Sequence, residues 1–329
     1  MRYYMAPMEG LTGYIYRNAY NACFYPMDKY FTPFISPKAS SGLSSRELND
    51  ILPEHNQGMC VVPQILTSQA EDFIRTAEEL REYGYQEVNL NLGCPSGTVV
   101  SKHKGAGMLE MPDRLDRFLD EVCQGLDRLG MGLSVKTRLG MSSPEEFPAL
   151  LDIYNRYPLR ELILHPRVRT DYYKNAPHME AFRYGYETGR APVCYNGNIF
   201  TISDYENLRG EYPELDRIML GRGIITNPGL PGQMAGWDGA DAGDTRDFGK
   251  MLTAFHQQVF EGYRTVMSGD RNVLFKMKEL WACMIQIYTD NGKYIKRIRK
   301  SQSLEEYQAA AAAVFRDLDI LEGAGYRPR

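Results

Sequence analysis

Short apolar or β-branched runs recur along the first two thirds of the chain. Between them lie longer stretches whose apolar positions repeat every three to four residues. The short runs are Tyr3–Met8, Lys29–Phe34, Cys60–Leu66, Glu87–Leu90, Gly132–Lys136, Glu161–His165, Pro192–Asn196 and Arg217–Leu220. Several are continuously apolar, as strands buried on both faces are. The longer stretches read as amphipathic helices. Ser68 and Glu71 have capping-box spacing ahead of Ala70, Phe73, Ala77 and Leu80, which share one helical face. Pro112 opens a run with Leu115, Phe118, Val122, Leu126 and Leu129 on one face. Ser143-Pro-Glu-Glu146 reads as an N-cap, a proline in the first turn and a capping glutamate. Eight strand-then-helix units predict an α/β chain folded as a (β/α)8 TIM barrel. An open doubly wound sheet is the competing architecture. It gathers its key loops near one switch point, whereas here polar residues recur at the end of strand after strand.

The pattern changes after residue 235. Asn227-Pro-Gly-Leu-Pro-Gly232 and Gly236–Thr245 are rich in Gly, Pro and Asp and read as a linker. Beyond it no strand-like run remains. Phe255, Val259 and Tyr263 share a helical face, as do Leu274, Met277, Trp281, Met284 and Tyr288. The last helix opens with Ser303 and Glu306 at capping-box spacing and carries Leu304, Tyr307, Ala311, Val314, Leu318 and Leu321. The expected organisation is a barrel over residues 1–235 followed by a small C-terminal α-helical bundle domain over 245–329.

Composition adds limits rather than direction. Of 329 residues, 43% are hydrophobic and 24% charged, ordinary for a globular protein. No run has the length of a membrane span and no signal peptide is evident at the N-terminus. Cys23, Cys60, Cys94, Cys123, Cys194 and Cys283 are scattered and make no CxxC pair. This argues against a zinc ribbon or a disulfide framework, and the expected compartment is the cytoplasm. The net charge of −4 is uneven. From Thr245 onward there are 14 Lys and Arg against 10 Asp and Glu, leaving 24 against 32 in the rest. A basic C-terminal part on an acidic body suits a polyanionic partner, although ordinary charge scatter gives similar counts.

Candidate chemistry gathers at strand ends. Asn91-Leu-Gly-Cys-Pro95 puts Cys94 in a tight turn after the fourth strand, before the basic loop Ser101-Lys-His-Lys-Gly-Ala-Gly107. That is a setting for a thiol that does chemistry rather than packing. Gln64 lies in the third strand, Lys136 and Arg138 at the fifth, His165 and Arg167 at the sixth, Asn196-Gly197 at the seventh, and Gly221-Arg222-Gly223 at the eighth. Each has a structural alternative: Gln64 as a loop cap, Lys136 in an ion pair, His165 as a hydrogen-bonded core residue. Their recurrence on the face where barrel enzymes build their sites favours a common ligand. Glycine-rich loops with Arg222 suit a phosphate, and a lysine with a glutamine suits the electron-poor edge of a flavin ring. There is no Rossmann fingerprint, no Walker A sequence and no metal-ligand spacing.

These segments together resemble the tRNA-dihydrouridine synthase family of FMN-dependent reductases. The matching segments are Met5-Ala-Pro-Met8, Val62-Pro-Gln-Ile65, Asn89-Leu-Asn-Leu-Gly-Cys-Pro95, Ser134-Val-Lys-Thr-Arg138, His165-Pro-Arg167, Tyr195-Asn-Gly-Asn-Ile199 and Met219-Leu-Gly-Arg222. The resemblance implies FMN contacts at Pro7, Met8, Gln64, Lys136, His165, Asn196, Gly197, Asn198, Gly221 and Arg222. It implies Cys94 as the catalytic acid, with Asn91 beside the flavin and the target base. Further substrate contacts are expected at Lys102, Lys104, Arg138 and Arg167, and at Lys293, Lys296, Arg297 and Arg299 of the basic segment 288–300. A solvated charged helix face is the alternative for that segment. This chain has His165-Pro-Arg-Val168 where the family usually has His-Gly-Arg-Thr, and Tyr195-Asn-Gly-Asn198 where it often has Gly-Asn-Gly-Asp. Pro166 removes a backbone donor, so the loop after the sixth strand is expected to differ.

The implied activity is reduction of a uridine in tRNA to 5,6-dihydrouridine, with hydride delivered to C6 and a proton from Cys94 to C5. NADPH is the implied reductant. A monomer needing no metal and no membrane is expected. A thiol near neutral pH is mostly protonated and can serve as an acid. The target base must leave its stack to reach a flavin. Three other readings remain: an FMN-dependent pyrimidine oxidoreductase of the dihydroorotate dehydrogenase type, the same chemistry on ribosomal RNA, and an RNA-binding protein that has lost catalysis.

Overall fold

The computed structural model of the chain describes residues 1–37, 42–237 and 248–327. Residues 238–247, which hold half of the expected linker and the start of the expected second domain, lie outside the described residues. Nine parallel strands form one sheet: β1 (Arg2–Met5), β2 (Lys29–Phe31), β3 (Val61–Val62), β4 (Gln64–Ile65), β5 (Glu87–Leu92), β6 (Gly132–Thr137), β7 (Leu159–Leu164), β8 (Val193–Tyr195) and β9 (Arg217–Leu220). Their order is β3-β2-β1-β9-β8-β7-β6-β5-β4. The two ends of that order are consecutive pieces of one run, so the sheet closes on itself as a (β/α)8 TIM barrel. The run expected as a single third strand is split at Pro63, which has no N–H to give to a ladder. Its first half pairs with β2 and its second half with β5.

The helices between strands follow the apolar stripes. Phe73, Ala77 and Leu80 are buried on the helix Ala70–Glu82. Its start corrects one expectation: Gln69 is the N-cap and no side chain caps the helix, so Ser68 and Glu71 make no capping box. The helix Pro112–Leu129 buries Leu115, Phe118, Val122 and Leu126, and ends on Gly130 with φ of 67°. The Ser143 expectation holds, with the Glu146 carboxylate accepting from the backbone N–H of Met141, Ser142 and Ser143.

The chain divides into two compact units. The first comprises Met1–Pro7, Asp28–Asn198 and Leu215–Met219 and carries the barrel strands. The second comprises Met8–Met27, Ile199–Glu214 and Leu220–Arg329. Part of the run read as a linker is a helix in this second unit, Leu230–Ala235, because Pro231 falls in its first turn, where no N–H is needed. The helices Phe248–Val266, Asp270–Met284, Gly292–Lys300 and Leu304–Asp317 follow. These four make up a C-terminal helical region. Among them Trp281 donates to Tyr307 Oη at 2.9 Å and to His256 Nε2 at 3.2 Å. His256 is buried, and burial pushes its pKa down to about 3. No described helix is long and apolar enough to cross a membrane.

Candidate active site

Inward-facing positions alternate along each strand, and three levels follow. At the N-terminal end of the barrel, Lys29 Nζ pairs with Glu87 at 2.8 Å and Glu161 at 2.7 Å. Arg217 pairs with Glu161 at 3.3 Å and Tyr4 Oη donates to Glu161 at 2.9 Å. Burial works against the Lys29 ammonium, but the two carboxylates outweigh it and hold its pKa above the usual value. The middle level is largely apolar, with Tyr4, Phe31, Val62, Ile163, Cys194 and Met219 in one cluster. Asn89 and Ser134 interrupt it. The upper level holds Gln64, Asn91, Lys136, His165 and Asn196, all singled out from the sequence.

A hydrogen-bonded relay ties these levels to Cys94. Asn89 Nδ2 donates to Ser134 Oγ at 3.0 Å, and Gln64 Nε2 donates to Asn89 Oδ1 at 2.7 Å. Asn91 Nδ2 then donates to Gln64 Oε1 at 2.7 Å. Asn91 Oδ1 accepts from the backbone N–H of Gly93 at 3.1 Å and of Cys94 at 3.0 Å. The Asn91 amide therefore builds the turn on which the half-buried Cys94 sits. The turn is held from two further sides. Arg138 Nε donates to Gly93 O at 2.9 Å, and Ala106 N–H donates to Cys94 O at 3.1 Å. Gly105 lies so close that a Cβ there would sit 3.0 Å from Cys94 Cβ. Lys102 and Lys104 flank this approach at the surface, Lys102 exposed and Lys104 partly so.

Lys136 reaches the barrel mouth half-buried, with no hydrogen-bond or ion-pair partner among the described residues. Burial, and then the nearby Arg138 guanidinium, push its pKa down to about 8. An ammonium so placed fits an anionic or carbonyl-rich ligand. A flavin ring, which gathers negative charge on reduction, satisfies both descriptions.

Arg138 and Arg167, expected at the substrate, are both fully buried. Besides the Arg138 bond to Gly93 O, most of their hydrogen bonds go to the loop after β7. Arg138 donates to Val168 O and Tyr172 O, each at 2.8 Å. Arg167 donates to Asn175 O through Nε and Nη2, to Asn198 Oδ1 at 3.1 Å, and to His165 Nε2 at 3.1 Å. A guanidinium only donates, so His165 Nε2 accepts and the ring proton sits on Nδ1. Asp171, which the sequence reading missed, closes the loop. It accepts from Val168 N–H, Asn175 Nδ2 and His178 Nε2. Burial works to raise its pKa, but these hydrogen bonds overcome it and hold the carboxyl below the ordinary range. Pro166 keeps its carbonyl in use, accepting from His178 N–H at 2.7 Å.

Asn196 Nδ2 donates to Met219 O at 2.8 Å. A Cβ on Gly197 would lie 2.1 Å from the Tyr195 hydroxyl, so any larger residue there would displace that ring. Pro7 ends the first segment of the first unit. Met8, Gly221 and Arg222 belong to the second unit. There Met8 N–H donates to Thr12 Oγ1 at 2.8 Å, and Gly221 is the N-cap of the short helix Arg222–Thr226. The helix Gly292–Lys300 buries Tyr294, Ile295 and Ile298 and exposes Lys293, Lys296, Arg297, Arg299 and Lys300. None of these five has an ion-pair partner among the described residues. Among the described residues no cluster of three or more His, Cys, Asp or Glu could hold a metal.

Taken as a class, this is a TIM-barrel protein with its candidate site at the C-terminal ends of the strands, where Cys94 and Lys136 lie. The dihydrouridine synthase (Dus) family model matches residues 4–314. A tRNA-dihydrouridine(16) synthase of Pseudomonas putida is 30% identical over 76% of this chain and 77% of its own. A probable tRNA-dihydrouridine synthase of Staphylococcus aureus is 30% identical over 68% of each chain. A tRNA-dihydrouridine(16) synthase of Neisseria meningitidis is 25% identical over 79% of this chain and 77% of its own. The chain belongs to the dihydrouridine synthase family.

Proposed function

We propose that this protein reduces a uridine of tRNA to 5,6-dihydrouridine, with Cys94 as the proton donor. The observation that carries the proposal is the Cys94 turn, anchored by Asn91 in the same inward level as the unpaired Lys136, in a chain of this family. When bound, FMN supplies the hydride that reaches C6 of the uracil ring, with NADPH as the reductant. Pro7, Met8, Gln64, Lys136, His165, Asn196, Gly197, Asn198, Gly221 and Arg222 are assigned to holding it. Lys136 offers positive charge to the bound flavin.

Cys94 gives its thiol proton to C5 as the hydride arrives at C6, so the C5–C6 double bond is saturated and the thiolate is left to be reprotonated from solvent. Asn91 and Arg138 act on that step by fixing the turn. The extruded base loses its stacking, and contacts elsewhere on the RNA offset that cost. Lys102 and Lys104, and the exposed face of Lys293, Lys296, Arg297 and Arg299, are assigned to phosphates. A cytoplasmic protein fits six cysteines outside disulfides and a tRNA substrate, and we assign it as a monomer.

The test is mass-spectrometric mapping of dihydrouridine in RNA from cells with and without the gene. The names of two relatives make position 16 of tRNA the first to inspect. Loss of dihydrouridine from tRNA is expected. Unchanged tRNA with loss from ribosomal RNA, or turnover of free pyrimidines, would refute the assignment.

A further inference from the structure

Arg222 lies in a two-walled aromatic notch. Its guanidinium carbon is 5.1 Å from the centre of the Phe200 ring and 4.8 Å from that of Tyr326. The two rings are themselves 5.0 Å apart and inclined at 53°. These distances form a nearly equilateral triangle, so the cation sits in a corner rather than between parallel plates.

Both walls are fixed independently of the arginine. The Asp204 carboxylate accepts from the N–H of Phe200 and of Thr201, each at 2.9 Å, at the start of the helix Ile202–Glu211. Tyr326 comes from the segment after the last helix, about a hundred residues away in sequence. That segment is pinned on both sides. Leu321 N–H donates to Ile287 O at 2.8 Å, and Arg327 N–H donates to Gln286 Oε1 at 2.8 Å. Gly325 lies directly on Phe200: a Cβ there would meet the Phe200 carbonyl oxygen at 1.9 Å. Only glycine lets the chain come this close.

We infer that Phe200 and Tyr326 are positioning residues for Arg222, setting its side chain for the phosphate of FMN. The inference rests on the assignment of Arg222 above. A long arginine side chain gives up rotamer freedom when it grips an anion. An aromatic corner takes that cost during folding instead of during binding. Stacking engages the faces of the guanidinium, while a phosphate is gripped through its in-plane N–H groups. The two contacts are therefore compatible.

The measurement is the affinity of the full chain, freed of flavin, for FMN and for riboflavin, followed by quenching of flavin fluorescence. Riboflavin lacks the phosphate. Tyr326→Ala should weaken FMN binding roughly three- to tenfold and leave riboflavin within about twofold, the scale of one cation–π contact. Gly325→Ala should do the same, and Tyr326→Phe should preserve both affinities. Melting temperature and near-ultraviolet circular dichroism report whether each variant is folded. If Arg222→Ala lowers the ratio of FMN to riboflavin affinity but Tyr326→Ala does not, the positioning role is overturned. Equal weakening of both ligands by Tyr326→Ala overturns it as well. If Arg222→Ala leaves the ratio unchanged, the phosphate assignment itself fails, and the inference with it.

Discussion

Replacing Asn91 by alanine tests the core of the proposed chemistry. The side chain makes three hydrogen bonds, one given to Gln64 and two accepted from the N–H groups of Gly93 and Cys94. The site is buried, with Asn91 only 7% exposed, so water replaces these bonds poorly. At about 1 kcal/mol net for each bond, the turn loses about 3 kcal/mol of definition. If all of it falls on the placement of the thiol, the rate of uridine reduction drops about 100-fold. Asn91→Asp keeps the two accepted bonds. It also allows the relay to reverse: Gln64 and Asn89 each flip their amide, and the Ser134 hydroxyl turns from acceptor to donor. The aspartate variant should therefore recover much of the loss.

The assay is single-turnover oxidation of the reduced flavin by unmodified tRNA, compared with flavin reduction by NADPH in the same preparation. The first rate should fall and the second should stay within a few-fold. A fall in both by the same factor would mean that Asn91 acts on the cofactor rather than on Cys94. Wild-type uridine reduction in a folded Asn91→Ala protein would refute the claim that this amide holds the proton donor in place.

Three further outcomes are expected. Cys94→Ala should retain bound flavin and NADPH oxidation but lose most uridine reduction; full activity would remove the thiol from the mechanism. Changing Lys296, Arg297 and Arg299 together to alanine should weaken tRNA binding and flatten its salt dependence by roughly two to three charges' worth, with flavin content intact; unchanged affinity at low salt would exclude this face. His256 should make the protein acid-sensitive. Its folded pKa of about 3 lies below the ordinary histidine value, so the unfolded chain takes up a proton first as pH falls. Stability is then lost between about pH 6.5 and pH 3, by up to about 5 kcal/mol. His256→Gln, which keeps an acceptor for Trp281 and Tyr307 but cannot titrate, should flatten that limb in denaturant titrations at stepped pH.

The strand ends were legible because a polar residue there interrupts an apolar run, and a barrel brings all such ends to one face. Gln64, Lys136, His165 and Asn196 were singled out in this way. Gln64 lies in the second piece of the split third run, and the others lie near or just past the C-terminal ends of their strands. The opposite end of the barrel carried an equally plain signal that went unread. Lys29, Glu87, Glu161 and Arg217 each open or nearly open a strand run, two cations and two carboxylates, and they close into one ion-pair network. Charges at the starts of buried strands must find each other, because nothing else there can neutralise them.

Arg138 and Arg167 mark where sequence reasoning stops. An arginine just past a strand reads the same whether it meets substrate or holds a loop. Only the positions of its acceptors decide, and those come from Gly93, Val168, Tyr172 and Asn175, residues whose carbonyls leave no trace in sequence. The consequence for specificity is direct. Both guanidinium groups are buried and donate to the loops around Cys94 and His165. We propose that charge for RNA phosphates comes instead from exposed groups such as Lys102 and the basic face of the helix Gly292–Lys300. Substituting Arg138 should disturb the chemistry through the Cys94 turn, whereas substituting that face should disturb only how firmly RNA is held.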